Sequence, residues 1–193
     1  RTGVNPRFMA MYAVDDEKAG WKKGQWHTAV PPQARPDTGL TPVDYFGRKM
    51  VDNLPDSIKV GTITVAVGGA SIDLFDKRTC KAYLKKQPDW MKNFASKYNG
   101  NPYARLIELA KIAQKQGVIK GILLHQGETN NGDANWPNRV KTVYNDILKE
   151  LHLKAEDVPL LVGETVQKDQ GGSCWQHIAI VDDIAKTIPT AHV

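Results

Sequence analysis

Two short runs hold most of the chemistry that this sequence offers. Gly68-Gly69-Ala70-Ser71 follows the β-branched stretch from Ile58 to Val67, and His125-Gln126-Gly127-Glu128 follows the apolar stretch from Val118 to Leu124. Paired glycines at a strand's end let backbone N–H groups point outward with no Cβ in the way, which is how a main-chain donor to an oxyanion is built. A plain tight turn ahead of a helix would use the same pair. The second run sets an imidazole, a primary amide and a carboxylate side by side after a buried strand, where polar groups must find partners. A hydrogen-bond network that only pins the loop therefore competes with a catalytic reading. In the catalytic one, Gln126 aims an amide N–H at developing negative charge, and Glu128 is an acid, a base or a support.

Other chemistries are narrower. The glycine run is neither GxGxxG nor GxxxxGK[ST], so the dinucleotide and P-loop fingerprints fail. Serine nucleophiles are scarce: Ser57, Ser71, Ser96 and Ser173 are the whole supply, and Ser71, with Asp73 close by, alone stands beside a strand-end motif. His152 ends a helical pattern, where a cation suits the dipole; His27, His177 and His192 fall in a loop, on a helix face and on the last strand. Spacing ties none of them to a serine. Cys80 and Cys174 belong to no CxxC or His/Cys cluster, so a structural zinc site is excluded, while free thiols and one long-range disulfide both stay open.

The elements that must position these residues follow from periodicity and punctuation. Phe8 to Val14 reads as a strand. Residues 16–39 carry Gly20, Gly24, Pro31, Pro32, Pro36 and Gly39 without a sustained period and read as a long irregular loop, a kind that is usually functional. Thr41 caps and Pro42 opens a helix whose apolar residues Val43, Phe46, Met50, Val51 and Leu54 run to Pro55. A strand over 58–67, a loop with a short helix over 71–100, and a helix over 102–116 closed by Gly117 come next. A strand over 118–124, a helix through Val140, Val143, Ile147, Leu148 and Leu151, a strand over 158–162, a helix over 173–186 and the start of a strand at Thr190 complete the chain. Such alternation predicts a parallel sheet covered by helices on both faces, with ligands meeting the strand C-termini.

A length of 193 residues suits one domain, residues 1–193, with no linker or repeat. Its net charge of +5 comes without a basic tail or stripe, so nucleic acid is not an expected partner. No apolar run approaches the roughly 18 residues of a membrane span, and the first residues do not read as a signal peptide.

Taken together, Thr38-Gly39-Leu40-Thr41-Pro42-Val43-Asp44-Tyr45-Phe46-Gly47, Val65-Ala66-Val67-Gly68-Gly69-Ala70-Ser71-Ile72 and His125-Gln126-Gly127-Glu128-Thr129 resemble the SGNH-type carbohydrate acetylesterases. That group includes acetylxylan esterases and the related sialate O-acetylesterases. The resemblance extends to Gly163-Glu164 and Asp169-Gln170-Gly171-Gly172, so it covers essentially the whole chain. It implies a flavodoxin-like, three-layer α/β/α sandwich with a mainly parallel sheet. It also implies hydrolysis of O-acetyl esters on oligo- or polysaccharides, such as acetylated xylan, with no metal and no cofactor. In the family a serine attacks the acetyl carbonyl, a histidine takes its proton, and an aspartate orients the histidine.

Carried over by motif, the backbone N–H of Gly68 or Gly69 and the amide of Gln126 fall in the oxyanion hole. His125, Glu128 and Thr129 support that loop, and Glu164 lies near the same face. The family's Gly-Gln-Ser-Asn-Met-like nucleophile block and its Asp-x-x-His block are both absent. The expectation is that this chain is the middle of the domain, with nucleophile, base and orienting acid outside it. Within the family pattern Ser71 lines a turn. Enzymes of this kind are usually exported, to the periplasm or the extracellular space. The alternative is a non-catalytic carbohydrate-binding domain that kept the fold, stacking sugars on Trp21, Trp26, Trp90 and Trp136.

Overall fold

The computed structural model describes residues 3–35 and 37–193; Arg1, Thr2 and Pro36 of the predicted loop lie outside it. Strand β1 (Phe8–Met11) pairs antiparallel with β2 (Trp26–Thr28) and parallel with β3 (Val60–Ile63). A second, all-parallel sheet is built from β4 (Ile122–Leu124), β5 (Leu160–Val162) and β6 (Ala191–His192). Their orders are β2-β1-β3 and β4-β5-β6, so β3 and β4 each keep one edge without a ladder partner among the described residues.

Helix α1 (Pro42–Asp52) begins where the sequence predicts, because Thr41 and Asp44 close a capping box: the Thr41 N–H and hydroxyl both donate to Asp44 Oδ2, at 2.7 and 2.9 Å. The other Asp44 oxygen accepts from Gln33 Nε2 at 2.7 Å, and Gln33 Oε1 accepts from Thr62 Oγ1 at 3.2 Å. This buried polar chain ties the long loop, α1 and β3 together, and every member has a partner, as burial demands. Gly47 lets α1 press on β1, since a Cβ there would lie 2.0 Å from the Phe8 ring.

Helices α2 (Cys80–Lys85), α3 (Asp89–Ser96) and α4 (Pro102–Gln114) follow, the last capped by Asn101, whose side chain accepts from Ala104 N–H at 2.9 Å. Helix α5 (Trp136–Glu150) packs on the second sheet, and two short helices, α6 (Ile178–Asp182) and α7 (Ile184–Thr187), lead into β6. Each sheet has its own apolar cluster. Phe8, Met11, Val51, Leu74, Tyr98 and Leu109 are central to the first; Trp136, Tyr144, Leu160, Val162, Val181 and Ile184 are central to the second.

Several elements differ from expectation: β1 stops at Met11 rather than Val14, and residues 71–100 hold two helices, α2 and α3, rather than one. The strand expected over 58–67 is only Val60–Ile63, because β1 offers four residues of pairing and ends at Met11. Likewise β4 is limited to the three residues that β5 pairs with. The loop over 16–39 includes β2, a three-residue strand too short to show alternation. The helix expected over 173–186 is broken at Asp183, which caps both α6 and α7. Both cysteines are free thiols, with Cys80 buried.

Candidate active site at the strand ends

The run after β3 folds as a turn, closed by Ala70 N–H donating to Val67 O at 3.4 Å. Gly69 has φ +70°, the left-handed region that glycine enters without steric cost. Among the described residues neither the Gly68 nor the Gly69 N–H has a hydrogen-bond partner, so two backbone donors stand free at this strand end. Ser71, by contrast, is fully used: its N–H donates to the Tyr83 hydroxyl at 3.0 Å, its Oγ donates to Asp73 Oδ2 at 2.9 Å, and it caps the turn Ile72–Leu74.

The loop after β4 is stitched to that turn. Thr129 Oγ1 donates to Gly69 O at 2.8 Å, Gln126 Nε2 to Ala70 O at 3.2 Å, and the Ile72 N–H to Asn130 Oδ1 at 3.0 Å. Gln126 Nε2 also donates to Asn130 Oδ1 at 2.7 Å, and Gln126 Oε1 accepts from Trp136 Nε1 at 2.5 Å. A primary amide has two N–H hydrogens. In this structure Gln126 has both engaged with protein acceptors, and so braces the two loops. Asn130 is 8% exposed, and its Oδ1 accepts twice. Its Nδ2 has no protein hydrogen-bond partner among the described residues.

Below this loop lies His177, fully enclosed, with its ring edge-on to Trp136 at 4.8 Å between centroids. Neither ring nitrogen has a partner. Burial pushes its pKa down and the field of Asp133 opposes this, so the ring is neutral. Gly127 has φ +148°, and a Cβ there would lie 2.3 Å from His177 Cδ2. The glycine is therefore required both by backbone conformation and by the imidazole behind it.

Arg139 on α5 is a further tie, paired with Asp73 from the first loop and with Asp133 Oδ2 at 2.9 Å. Burial raises the Asp73 pKa, but hydrogen bonds from Arg139 and Ser71 outweigh it and hold the carboxyl below its ordinary value. An ion-paired carboxylate of that kind is a poor base for Ser71. His125 is exposed and packs over Gly163, and Glu128 is exposed with its carbonyl accepting from Cys174 Sγ at 3.5 Å. Glu164 is held by Gln167 Nε2 at 2.8 Å and lies beside Asp182, whose pKa is raised by burial and then by the Glu164 charge. Thus Gly68, Gly69, Gln126 and Thr129 come together, while Glu164 pairs elsewhere.

Among the described residues the other serines bond to neither a histidine nor a carboxylate: Ser57 Oγ has no hydrogen-bond partner, Ser96 Oγ donates to Asn93 O, and Ser173 Oγ meets Cys174 Sγ. Among the described residues no three His, Cys, Asp or Glu side chains converge as a metal site would need. Of the four loop tryptophans offered as sugar platforms, Trp21 and Trp136 are buried in the two cores and Trp26 is half-buried against Gly61, which leaves Trp90.

Residues 10–193 match the family model described as carbohydrate esterase, sialic acid-specific acetylesterase. The chain belongs to this family. Among solved structures, the chain is similar to the X-ray structure of a protein from Arabidopsis thaliana, with a TM-score of 0.64 at 18% sequence identity. The match covers 94% of this chain and 64% of that one, so the domain spans just under two thirds of that structure's length. At such identity the likeness speaks for the fold, a mixed α/β architecture with parallel strands.

Reading the sequence by motif underrated two residues. Asn130 closes the same loop as Gln126, but only hydrogen-bond accounting separates the amide that braces from the amide that is free. His177 sits in a broken helix with no local signal, and it meets Gly127 only through the fold.

Proposed function

We propose that this domain forms the oxyanion-stabilising body of a serine-type ester hydrolase that removes O-acetyl groups from carbohydrate, acetylated xylan or a related glycan. The observation that carries the reading is the pair of free N–H donors at Gly68 and Gly69, set on a loop hydrogen-bonded to the Gln126–Asn130 amide pair. A serine oxygen adds to the acetyl carbon while its proton passes to a histidine. The carbonyl oxygen becomes an oxyanion, and preorganised donors lower its energy. Collapse releases the sugar hydroxyl, which takes the proton from the histidine. Water then repeats the sequence, yielding acetate and restoring the serine.

We place the serine, histidine and aspartate of this scheme on none of the described residues. Two features support that assignment. No serine hydroxyl bonds a histidine among the described residues. In addition, the free edges of β3 and β4 lie on strands whose C-terminal loops are bonded together, so one parallel strand between them would unite the two sheets. Leu123 of β4, 43% exposed, is the kind of apolar strand residue that such a strand and its flanking chain would cover. A glycan substrate puts the proposed site of action in the periplasm or outside the cell. The test is acetate release from acetylated xylan and from an aryl acetate by the full natural chain. Release that is blocked by a serine-directed phosphonate is the expected result, and absence of release removes the reading.

A further inference from the structure

We infer that Trp90 is the platform on which a pyranose ring of the substrate stacks, alongside the Gly69 turn. The inference rests on the carbohydrate esterase reading and adds to it the element that recognises the sugar. Trp90 is the second residue of α3 and is 50% exposed. Single exposed apolar residues are ordinary, but this one has a particular neighbour. Its Cη2 stands 3.4 Å from the position a Cβ would take on Gly69, so the edge of the indole borders the turn whose N–H groups are free.

The indole is also held in place. Phe94, one turn further along α3, meets it edge-on with 6.1 Å between centroids, and the Arg35 guanidinium covers Phe94 at 4.0 Å. A rigid aromatic with two side-chain torsions loses little entropy when it binds, and this packing removes part of that loss beforehand. Trp175 is the other exposed indole, 37% exposed, but Lys168 Nζ lies over its ring at 4.8 Å. Among the described residues no cation lies over the Trp90 ring.

A β-linked xyloside offers flat faces of C–H groups, with its hydroxyls at the rim. Stacked on Trp90, such a ring removes apolar surface from water on both partners. It also leaves the ring's edge, where an O-acetyl group is attached, beside Gly69. The N–H of the glycine stays open beside the indole edge. Recognition of the sugar and stabilisation of the oxyanion are thus adjacent but separable.

The full natural chain tests this, as wild type and as Trp90→Ala, Trp90→Tyr and Trp175→Ala. Xylotriose is titrated by calorimetry, and acetylated xylotriose is followed by acetate release. Trp90→Ala should weaken xylotriose binding about tenfold and raise KM for the acetylated trisaccharide by a similar factor. Trp90→Tyr should recover most of that loss, and Trp175→Ala should behave as wild type. Xylotriose that does not bind, a Trp90→Ala affinity within about twofold of wild type, or an equal loss in Trp175→Ala overturns the inference. The two readings fail separately. Binding that depends on Trp90 without acetate release sinks the esterase reading alone, and acetate release with no effect at Trp90 sinks the platform alone.

Discussion

Gln126 donates one hydrogen to Asn130 Oδ1 at 2.7 Å and the other to Ala70 O at 3.2 Å, so at these strand ends the amide with hydrogens to spare is that of Asn130. Asn130→Asp is the informative change, because the aspartate keeps an acceptor for Ile72 N–H and Gln126 Nε2 while losing both donors. In the full natural chain it should lower kcat by roughly 10² to 10³-fold with little change in KM, as loss of an oxyanion donor does. Gln126→Ala should lower stability as well, by about 1–3 kcal/mol, since Trp136 Nε1 loses its acceptor. Steady-state kinetics alongside denaturant unfolding separates the two, and a silent Asn130→Asp with a selective kcat defect in Gln126→Ala would return the donor role to Gln126.

Gly127→Ala should destabilise the protein by about 2–5 kcal/mol, combining backbone strain with overpacking. Both causes are local: φ is +148° and the new Cβ would meet His177 at 2.3 Å. A double-mutant cycle with His177→Ala apportions them, because removing the ring relieves the clash and leaves the strain. Additive effects in denaturant unfolding would show that the imidazole does not press on Gly127.

His177 gives the stability a pH dependence of known sign. Its folded pKa lies below the unfolded value of about 6.5. The unfolded chain therefore binds the proton more readily, and the contribution of this group, complete well above that pH, is lost as pH falls through it. Between pH 7.5 and pH 5.5 the melting temperature of wild type should fall more than that of His177→Gln, measured by calorimetric scans (pH values approximate). Equal slopes would mean that the ring takes up its proton as readily in the folded state as in the unfolded one.

The free edges of β3 and β4 lead to a prediction about amide exchange in the full natural chain. If a parallel strand lies between them, their outward N–H groups should be among the slowly exchanging set, as those of a central sheet are. Exchange as fast as that of exposed loops would leave the slot open. The proposed source of the nucleophile would then fail.

Elements set by local chemistry were legible in the residues: α1 from Thr41, Pro42 and Asp44, and α4 from Asn101 and Pro102. Gly69 of the strand-end pair was legible too, because a positive φ leaves few alternatives to glycine. Strand lengths were not, since Val60–Ile63 and Ile122–Leu124 end where their partners end rather than where apolar residues stop. The role of Gln126 was hidden for a related reason. Side-chain type says that an amide can donate, but only the positions of Ala70 O, Asn130 Oδ1 and Trp136 Nε1 say where its hydrogens go.

The stitching between the two loops also bears on how the chain folds. Gln126 to Ala70, Thr129 to Gly69 and Asn130 to Ile72 are contacts between residues 56 to 60 positions apart. Within the second sheet, β4, α5, β5 and β6 follow one another along the chain and collapse around Trp136 and Leu160. Closing a long loop costs entropy before its contacts can repay it. The strand pairings of the second sheet join residues about 31 to 38 apart, so they are expected to close ahead of the seam. A refolding experiment should recover buried tryptophan signal before it recovers the capacity to act on an ester.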